Sequence, residues 1–215
     1  MNIALIGNGN MGSIIKSIAS SQIVITIENF EYQSIDENLN IDVIIDFSHH
    51  NNIKYIVDYA LKHKCKVVIA TTNLKDSDYT LLKELSNHTA VMIDSNFSFG
   101  IYLLKRIISQ NINTIKNYDI ELNEVHHKYK KDSPSGTMLS IEKILQNNNI
   151  KYNVHAIRAG TVRGEHKITL YGDDEYIEIK HVALSRKTYA LGALVAAKWL
   201  LCKEKGLFSY KDCLL

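Results

Sequence analysis

The sequence contains few cysteines, and its positive and negative charges nearly balance. Each of these features excludes a class of protein. Its 215 residues include three cysteines, and the formal net charge is +2 at pH 7. Cys65, Cys202 and Cys213 are odd in number, far apart and without CxxC spacing, so we expect reduced thiols in a cytoplasmic protein, with Cys65 and Cys202 buried. The basic residues are scattered along the chain, which argues against a nucleic-acid-binding surface.

Long hydrophobic runs are also missing. The longest apolar segment, YALGALVAAKWLLC at residues 189–202, is shorter than the span of about 20 residues that a bilayer needs, and it contains Lys198. The N-terminus, MNIALIGNGNMG, has no basic region and no cleavage-like site, and it fits a strand that runs into a glycine turn. We therefore expect neither a membrane span nor a secretion signal.

Short apolar runs in the first half of the chain predict strands buried on both faces of a parallel sheet. These runs are NIALIG, QIVITIE, DVIIDFS, KVVIATT and AVMIDSN. Helical patterns separate the last three, and one of them places Ile53, Ile56, Val57, Ala60 and Leu61 on a single face. Strands that alternate with helices predict an α/β, Rossmann-type dinucleotide-binding domain over residues 1–96. The polar connection from Glu28 to Asp42 predicts a crossover without a helix.

After Asn96 the pattern changes to that of a smaller α+β domain with a mixed sheet, over residues 97–185. A helix over 100–112 precedes the alternating strand YDIELNEVHH, a helix starts near Thr137, and three strand-like segments follow. A final helix over 188–205 is apolar on more than one face, so residues 186–215 are expected to complete the first domain. Gly206 would be its C-cap.

Gly7, Gly9 and Gly12 form the pattern G-x-G-x-x-G directly after a strand, with Asn8, Asn10 and Met11 between them. Such a turn lets a pyrophosphate approach the backbone at a helix N-terminus. Alone the motif is weak, but Glu28 stands at the end of the second strand, where a carboxylate can hold ribose hydroxyls. Because Asn29, and not an arginine, follows Glu28, the sequence favours NAD over NADP.

The segment EVHHKYKKDSPSGT, residues 124–137, concentrates positive charge ahead of a helix start. His126 and His127 point to opposite faces of a strand, which argues against a metal site formed by the pair. Ser135, Gly136 and Thr137 offer a hydroxyl and free amides at a helix N-terminus, which is a site for a carboxylate or a phosphate. With Lys130 and His127 they predict binding of a small acid beside a proton donor, whereas Lys128 and Lys131 are expected to be surface residues.

These segments resemble the 4-hydroxy-tetrahydrodipicolinate reductase family over nearly the full length of the chain. The family's E-x-HH-x-x-K-x-D-x-PSGT motif is present from Glu124 to Thr137. Further matching segments are DFS at 46–48, ATT at 70–72, NFSFG at 96–100, RAGTVRGEH at 158–166, H-x-A-x-SR at 181–186 and GLF at 206–208.

The resemblance implies an NAD(P)H-dependent reduction of a cyclic dicarboxylate in diaminopimelate and lysine biosynthesis. It makes His126 the proton donor and Lys130 its electrostatic partner, and it gives His127 and the Ser135-Gly136-Thr137 segment to the substrate carboxylates. It adds further residues around the nicotinamide and its ribose, namely Phe47, Ala70, Thr72, Asn96, Phe97 and Arg186. It also implies a homotetramer built on the sheet of the second domain. Asn10 replaces a cation found in many relatives, so NADH is favoured, with NADPH as the other cofactor.

Two other interpretations use the same residues. One is another two-domain NAD-dependent oxidoreductase that acts on a sugar or an amino acid, for which the HH…K…SGT constellation would have no special value. The other is a nucleotide-binding regulatory protein without catalysis, against which the presence of His126 and Lys130 argues. Binding of a dicarboxylic acid separates the first alternative from the reductase.

Overall fold

The computed structural model describes residues 1–28, 35–36 and 38–214. Its strands, in chain order, are β1 (Ile3–Ile6), β2 (Ile23–Ile27), β3 (Val43–Asp46), β4 (Lys66–Ile69), β5 (Ala90–Ile93), β6 (Asp119–His126), β7 (Asn153–Arg158), β8 (Glu165–Tyr171), β9 (Tyr176–Val182) and β10 (Gly206–Phe208). Its α-helices are α1 (Asn10–Ala19), α2 (Ile53–His63), α3 (Asp76–Leu85), α4 (Phe99–Gln110), α5 (Ile112–Ile115), α6 (Gly136–Gln146) and α7 (Lys187–Leu200), and the two 3₁₀ turns are His50–Asn52 and Tyr210–Cys213.

The chain forms two compact units, and the α/β fold class predicted from the sequence is confirmed. The first unit comprises Met1–Phe97 and Lys187–Leu215, and the second unit comprises Ser98–Arg186. The functional roles given to the two domains from the sequence remain predictions. Most of the connection between Glu28 and Asp42, including Asn29, lies outside the described residues.

The first unit is a Rossmann-type parallel sheet in the order β10-β5-β4-β3-β1-β2. All four residues of β1 and all four of β3 are buried, as expected for central strands covered on both faces. One apolar cluster joins one face of the sheet to α1 and α7, and a second joins the other face to α2 and α3. The helices thereby bury both faces of the sheet.

Three details of the first unit differ from the sequence prediction. Helix α7 ends at Leu200, and Gly206, with φ +133°, begins the edge strand β10 instead of capping the helix. Cys202 is exposed because it follows the end of α7, and Cys65 is buried as predicted. Leu61 is 39% exposed, whereas Ile53, Ile56, Val57 and Ala60 are buried.

The second unit is a mixed sheet in the order β7-β6-β8-β9. Strand β6 runs parallel to β7 and antiparallel to β8. Its side chains alternate between buried and more exposed positions, so one face of the sheet packs and the other faces outward. Helices α4 and α6 cover the packed face through Ile101, Leu104, Met138, Ile141 and Leu145.

Helix length can be compared with the thickness of a bilayer. Within residues 1–28, 35–36 and 38–214, no helix is both long enough and apolar enough to cross a membrane.

Candidate active site

The glycine turn after β1 has the geometry that its pattern predicts. Gly7 has φ +100°, and a Cβ there would lie 2.6 Å from the carbonyl oxygen of Phe47. A Cβ at Gly12 would lie 2.0 Å from the carbonyl oxygen of Gly7. At Gly9, the N-cap of α1, a Cβ would have no atom of the described residues within 4 Å. Gly7 and Gly12 are therefore needed for packing, while the space at Gly9 lets a ligand reach the helix N-terminus.

A cavity of about 820 Å³ adjoins this turn, and its lining includes Gly7, Asn8, Gly9, Glu28 and Phe47. The exposed Glu28 carboxylate accepts a hydrogen bond of 2.6 Å from the side-chain Nδ2 of Asn8. The side-chain Oδ1 of Asn8 accepts one of 2.9 Å from Nζ of Lys16. A carboxylate at the end of β2 is the group that holds ribose hydroxyls in dinucleotide sites. The cavity and the glycine turn thus fit a bound dinucleotide.

The other residues predicted to contact the cofactor mostly follow the parallel strands. Phe47, Ala70 and Thr72 come after β3 and β4, and Asn96 and Phe97 come after β5. All of them lie toward the carboxyl edge of the sheet, where ligands bind in open α/β folds. Phe97 is buried, and its ring centroid lies 6.5 Å from that of Phe47 and 5.2 Å from that of Tyr210. Asn10 and Met11 open α1 beside the turn, whereas Arg186 is the last residue of the second unit.

Asp46, at the end of β3, is a buried carboxylate that sequence reasoning did not assign to the site. Its Oδ1 accepts hydrogen bonds from the amide and the hydroxyl of Ser48, and the Ser48 amide also donates to Thr71 Oγ1 at 2.9 Å. Burial raises the pKa of Asp46 to about 6. Asp46 therefore links the ends of β3 and β4, next to the residues expected to surround the nicotinamide.

In the second unit, strand register brings the polar residues of three strands into one row. Glu124 on β6 stands opposite His166 on β8, which stands opposite His181 on β9. His126, two residues after Glu124 on the same face, is the register partner of Arg158 on β7. Directly opposed residues share a face of the sheet, so these five side chains converge on the packed side.

Glu124 is the centre of this group, and its side chain is fully buried. Arg158 Nη2 donates to its Oε1 at 2.6 Å, and the Ser135 amide and hydroxyl both donate to the carboxylate. Nδ1 of His126 and Nε2 of His166 each lie 3.7 Å from Oε2. One carboxylate thus contacts groups from β6, β7, β8 and the start of α6.

Burial and these contacts shift the titration of the acid and of both histidines. Burial raises the pKa of Glu124, but the hydrogen bonds from Ser135 and Arg158 outweigh that effect and hold the pKa below its usual range. Burial lowers the pKa of His126 to about 4 and that of His166 to about 3, although Glu124 opposes both shifts. The carboxylate is therefore ionised and the two imidazoles are neutral at pH 7.

The basic loop leads to the N-terminus of α6. Lys130 is half-buried and donates to both oxygens of Asp132, at 2.8 and 2.9 Å, whereas Lys128 and Lys131 are exposed as predicted. Burial raises the pKa of Asp132, but hydrogen bonds from Lys130 and from the amide of Gly136 outweigh that effect. The pKa of Asp132 therefore lies below its usual range. Lys130 and the Gly136 amide at the start of α6 therefore already hold one carboxylate within the protein.

The remaining predicted residues lie on the same loop and helix. Ser135 is the N-cap of α6 and accepts from the Met138 amide at 3.2 Å, and Gly136 and the buried Thr137 follow it. His127 follows β6 and is half-buried, and its ring lies 6.5 Å from that of Tyr129. The structure therefore brings His126, Lys130 and the Ser135-Gly136-Thr137 segment together at one end of the sheet.

The group formed by Glu124, His126 and His166 could also be interpreted as a metal site, because one ligand atom from each residue lies within 4.8 Å of the others. Two contacts weaken that interpretation. Both oxygens of Glu124 already accept hydrogen bonds, and the Arg158 guanidinium stands 2.6 Å from Oε1, where it would repel a cation. We interpret Glu124, held by hydrogen bonds from Ser135 and Arg158, as a support for the site.

Glu124, Arg158, His166 and His181 received no role from sequence reasoning. The matching segments RAGTVRGEH and H-x-A-x-SR contain three of them, but a segment does not say which residue faces Glu124. That depends on the pairing of β6 with β7 and β8.

The comparisons with known proteins agree over the whole chain. A family model for the N-terminus of dihydrodipicolinate reductase matches residues 1–97, and one for its C-terminus matches residues 100–214. The 4-hydroxy-tetrahydrodipicolinate reductase of Brachyspira hyodysenteriae is 34% identical over 100% of both chains. That of Thermosipho africanus is 35% identical over 99% of this chain and 97% of its own.

A solved structure shows the same fold. The dipicolinate-bound dihydrodipicolinate reductase of Paenisporosarcina sp. TG-14 superposes with a TM-score of 0.77 at 18% identity, over 100% of both chains. The family matches and the two relatives lead to one assignment: the chain belongs to the dihydrodipicolinate reductase family.

Proposed function

We propose that this protein reduces 4-hydroxy-tetrahydrodipicolinate to tetrahydrodipicolinate with loss of water, in diaminopimelate and lysine biosynthesis. The observation that carries the proposal is the buried His126 beside Lys130 and the N-terminus of α6, in a chain that also has a dinucleotide turn. A reduced nicotinamide bound at this turn would supply the hydride for C4 of the ring, and the protein must supply a proton to C3.

His126 is the proposed proton donor. Its side chain is 9% exposed, and it is surrounded by charges of both signs: Glu124 at 3.7 Å, with Arg158, Lys130 and Asp132 near by. Lys130 attracts the dicarboxylate and stabilises the negative charge that develops in the ring before the proton arrives. A positioned acid accounts for roughly 10²–10⁴ in rate.

The substrate carboxylates are proposed to bind where Asp132 now interacts. Lys130 and the Gly136 amide hold that side chain, and Ser135, Thr137 and His127 are the neighbouring predicted contacts. A carboxylate at this point also benefits from the positive end of the α6 dipole.

NADH is the proposed preferred cofactor. Glu28 places a negative charge, held by Asn8, where a 2′-phosphate would lie, and Asn10 is neutral. Lys16, hydrogen-bonded to Asn8, is a nearby cation that would still allow NADPH to bind, although with lower affinity than NADH. The proposed compartment is the cytoplasm, in keeping with three free cysteines.

A homotetramer is the proposed assembly. The outward face of the second unit's sheet exposes Ile157 (47%), Tyr171 (44%), Tyr176 (63%) and Val182 (42%). Register places these side chains on the face opposite Glu124. Exposed apolar groups grouped on one sheet face support its use in subunit contacts.

The function is tested by the loss of reduced-nicotinamide absorbance when the protein meets substrate freshly made from pyruvate and aspartate semialdehyde. We expect oxidation with NADH and, more slowly, with NADPH, and a loss of roughly 10²–10⁴ in kcat for His126→Gln. The dissociation constant for NADH should not change in that variant. If NADH binds but is not oxidised by the unmodified protein, the regulatory interpretation replaces this one.

A further inference from the structure

Glu124 has more partners than any structural need of β6 explains. It is fully buried, and its carboxylate receives the Ser135 amide, the Ser135 hydroxyl and the Arg158 guanidinium. A strand residue of the second unit's core could be apolar, as its neighbours Leu122 and Ile168 are. A buried acid with several donors fixes the relative positions of the groups that donate to it.

Those groups are the ones that frame the proposed chemistry. Ser135 is the N-cap of α6, so its position sets the direction of the Gly136 and Thr137 amides. Arg158 Nη2 also donates to the main-chain carbonyl of Asp132 at 2.6 Å, which anchors the loop that carries Lys130. The same carboxylate lies 3.7 Å from Nδ1 of His126.

We propose that Glu124 is a positioning residue of the reductase site: its carboxylate, paired with Arg158, holds the N-terminus of α6 and the proton donor His126 in one fixed relation. The proposal rests on the proposed function for its catalytic meaning. It assigns to Glu124 no contact with substrate and no proton transfer.

The negative charge of Glu124 is essential to this role. A glutamine would keep the shape of the side chain but replace one acceptor oxygen with an NH₂ group. The three groups that donate to Glu124 would then share a single oxygen, so either Arg158 or Ser135 would lose its partner. It would also remove the one negative charge next to His126 on its own strand. The other charged or titratable groups that face His126 are Lys130 and Asp132 from the loop, Arg158 from β7 and His166 from β8.

The test compares Glu124→Gln, Arg158→Gln and the double variant, with Glu142→Gln as control. Glu142 lies on α6 and accepts from Tyr152 at 3.1 Å, away from the row. For Glu124→Gln we expect kcat to fall by roughly 10- to 100-fold. We expect the dipicolinate dissociation constant to rise by about tenfold, with NADH affinity unchanged. The control should match the unmodified protein in all three.

Two readouts separate positioning from a purely structural role. The first is the alkaline limb of the pH profile of kcat, which should move to lower pH in Glu124→Gln because the loss of the negative charge makes His126 harder to protonate. The second is the double variant, which removes both charges of the Glu124–Arg158 pair and should recover the thermal midpoint of unfolding that either single change lowers. It should recover neither kcat nor the pH profile.

The proposal is overturned if the double variant regains the wild-type kcat together with the wild-type midpoint, or if Glu124→Gln alone leaves the pH profile and dipicolinate affinity unchanged. It can also be decided without turnover. If the unmodified protein fails to oxidise NADH, the proposed function fails, yet the NMR titration of the His126 ring still reports the effect of Glu124→Gln. An unchanged titration midpoint there would contradict the positioning role.

Discussion

At the scale of single residues, His126 combines two opposed requirements. A proton donor must be protonated when the substrate is bound, but burial lowers the pKa of this imidazole to about 4 in the unliganded protein. Two substrate carboxylates placed beside it would add negative charge and raise that pKa. His126 should therefore gain its proton together with the substrate.

The expected result is proton uptake when dipicolinate binds at pH 6 to 7. His126 is neutral in the free protein at pH values above its lowered pKa, and it is charged in the complex at pH values below its raised pKa. Between these two pKa values, uptake approaches one proton per site, and it declines as the pH rises above the pKa of the complex. Calorimetry in two non-phosphate buffers of different ionisation enthalpy measures the uptake, with His126→Gln as control. A binding enthalpy independent of the buffer would contradict the coupling.

At the scale of elements, the sequence was sufficient to predict β1 to β9, but not β10 or every boundary. The five apolar runs became β1 to β5, and the alternation in YDIELNEVHH became β6. The end of α7 was placed too late, because Lys203, Lys205 and Gly206 have the pattern of a cationic last turn followed by a C-cap. A three-residue strand such as β10 has too few residues to show a period.

The candidate site was predictable only where its residues are consecutive. His126, Lys130 and the Ser135-Gly136-Thr137 segment lie in one segment, so charge and helix-end chemistry identify them. Arg158 and His166 are 34 and 42 positions from Glu124, and their approach depends on which residues of β7 and β8 pair with β6. Periodicity gives the face that a side chain takes but leaves the register between strands open.

Helix α7 also makes a close contact that can be tested. A Cβ at Gly192 would lie 1.8 Å from the carbonyl oxygen of Phe97 and 2.8 Å from the Tyr210 hydroxyl. We expect Gly192→Ala to lower the free energy of unfolding by about 1–3 kcal/mol, because either the helix or the Phe97 backbone must move. Chemical denaturation measures the change.

Gly136→Ala is the control for that experiment, since a Cβ at Gly136 has no atom of the described residues within 4 Å. Its unfolding free energy should stay within about 0.5 kcal/mol of the unmodified protein. A loss in Gly192→Ala no larger than that in Gly136→Ala would contradict the cost assigned to the contact with Phe97, because helix propensity alone favours alanine over glycine.

At the scale of the whole molecule, the outward sheet face of the second unit carries the prediction about assembly. We expect a mass near four times the 24.4 kDa chain by light scattering. Tyr176→Asp should shift that mass downward, because a charge buried without a partner in a subunit contact is costly. Leu139→Asp, at an exposed position of α6, should not. A monomer for the unmodified protein would rule out the proposed tetramer.

The row that Glu124, His166 and His181 form across three strands restricts how this family member can change in length. Insertion of one residue within β6 between Ile120 and Glu124 would turn one part of the strand over relative to the other, so core and site could no longer share a face. Natural insertions and deletions should therefore accumulate in the connections between strands. In variants that lengthen β6 by a single residue, the second unit as a whole should fail to fold, instead of folding with only the site disrupted.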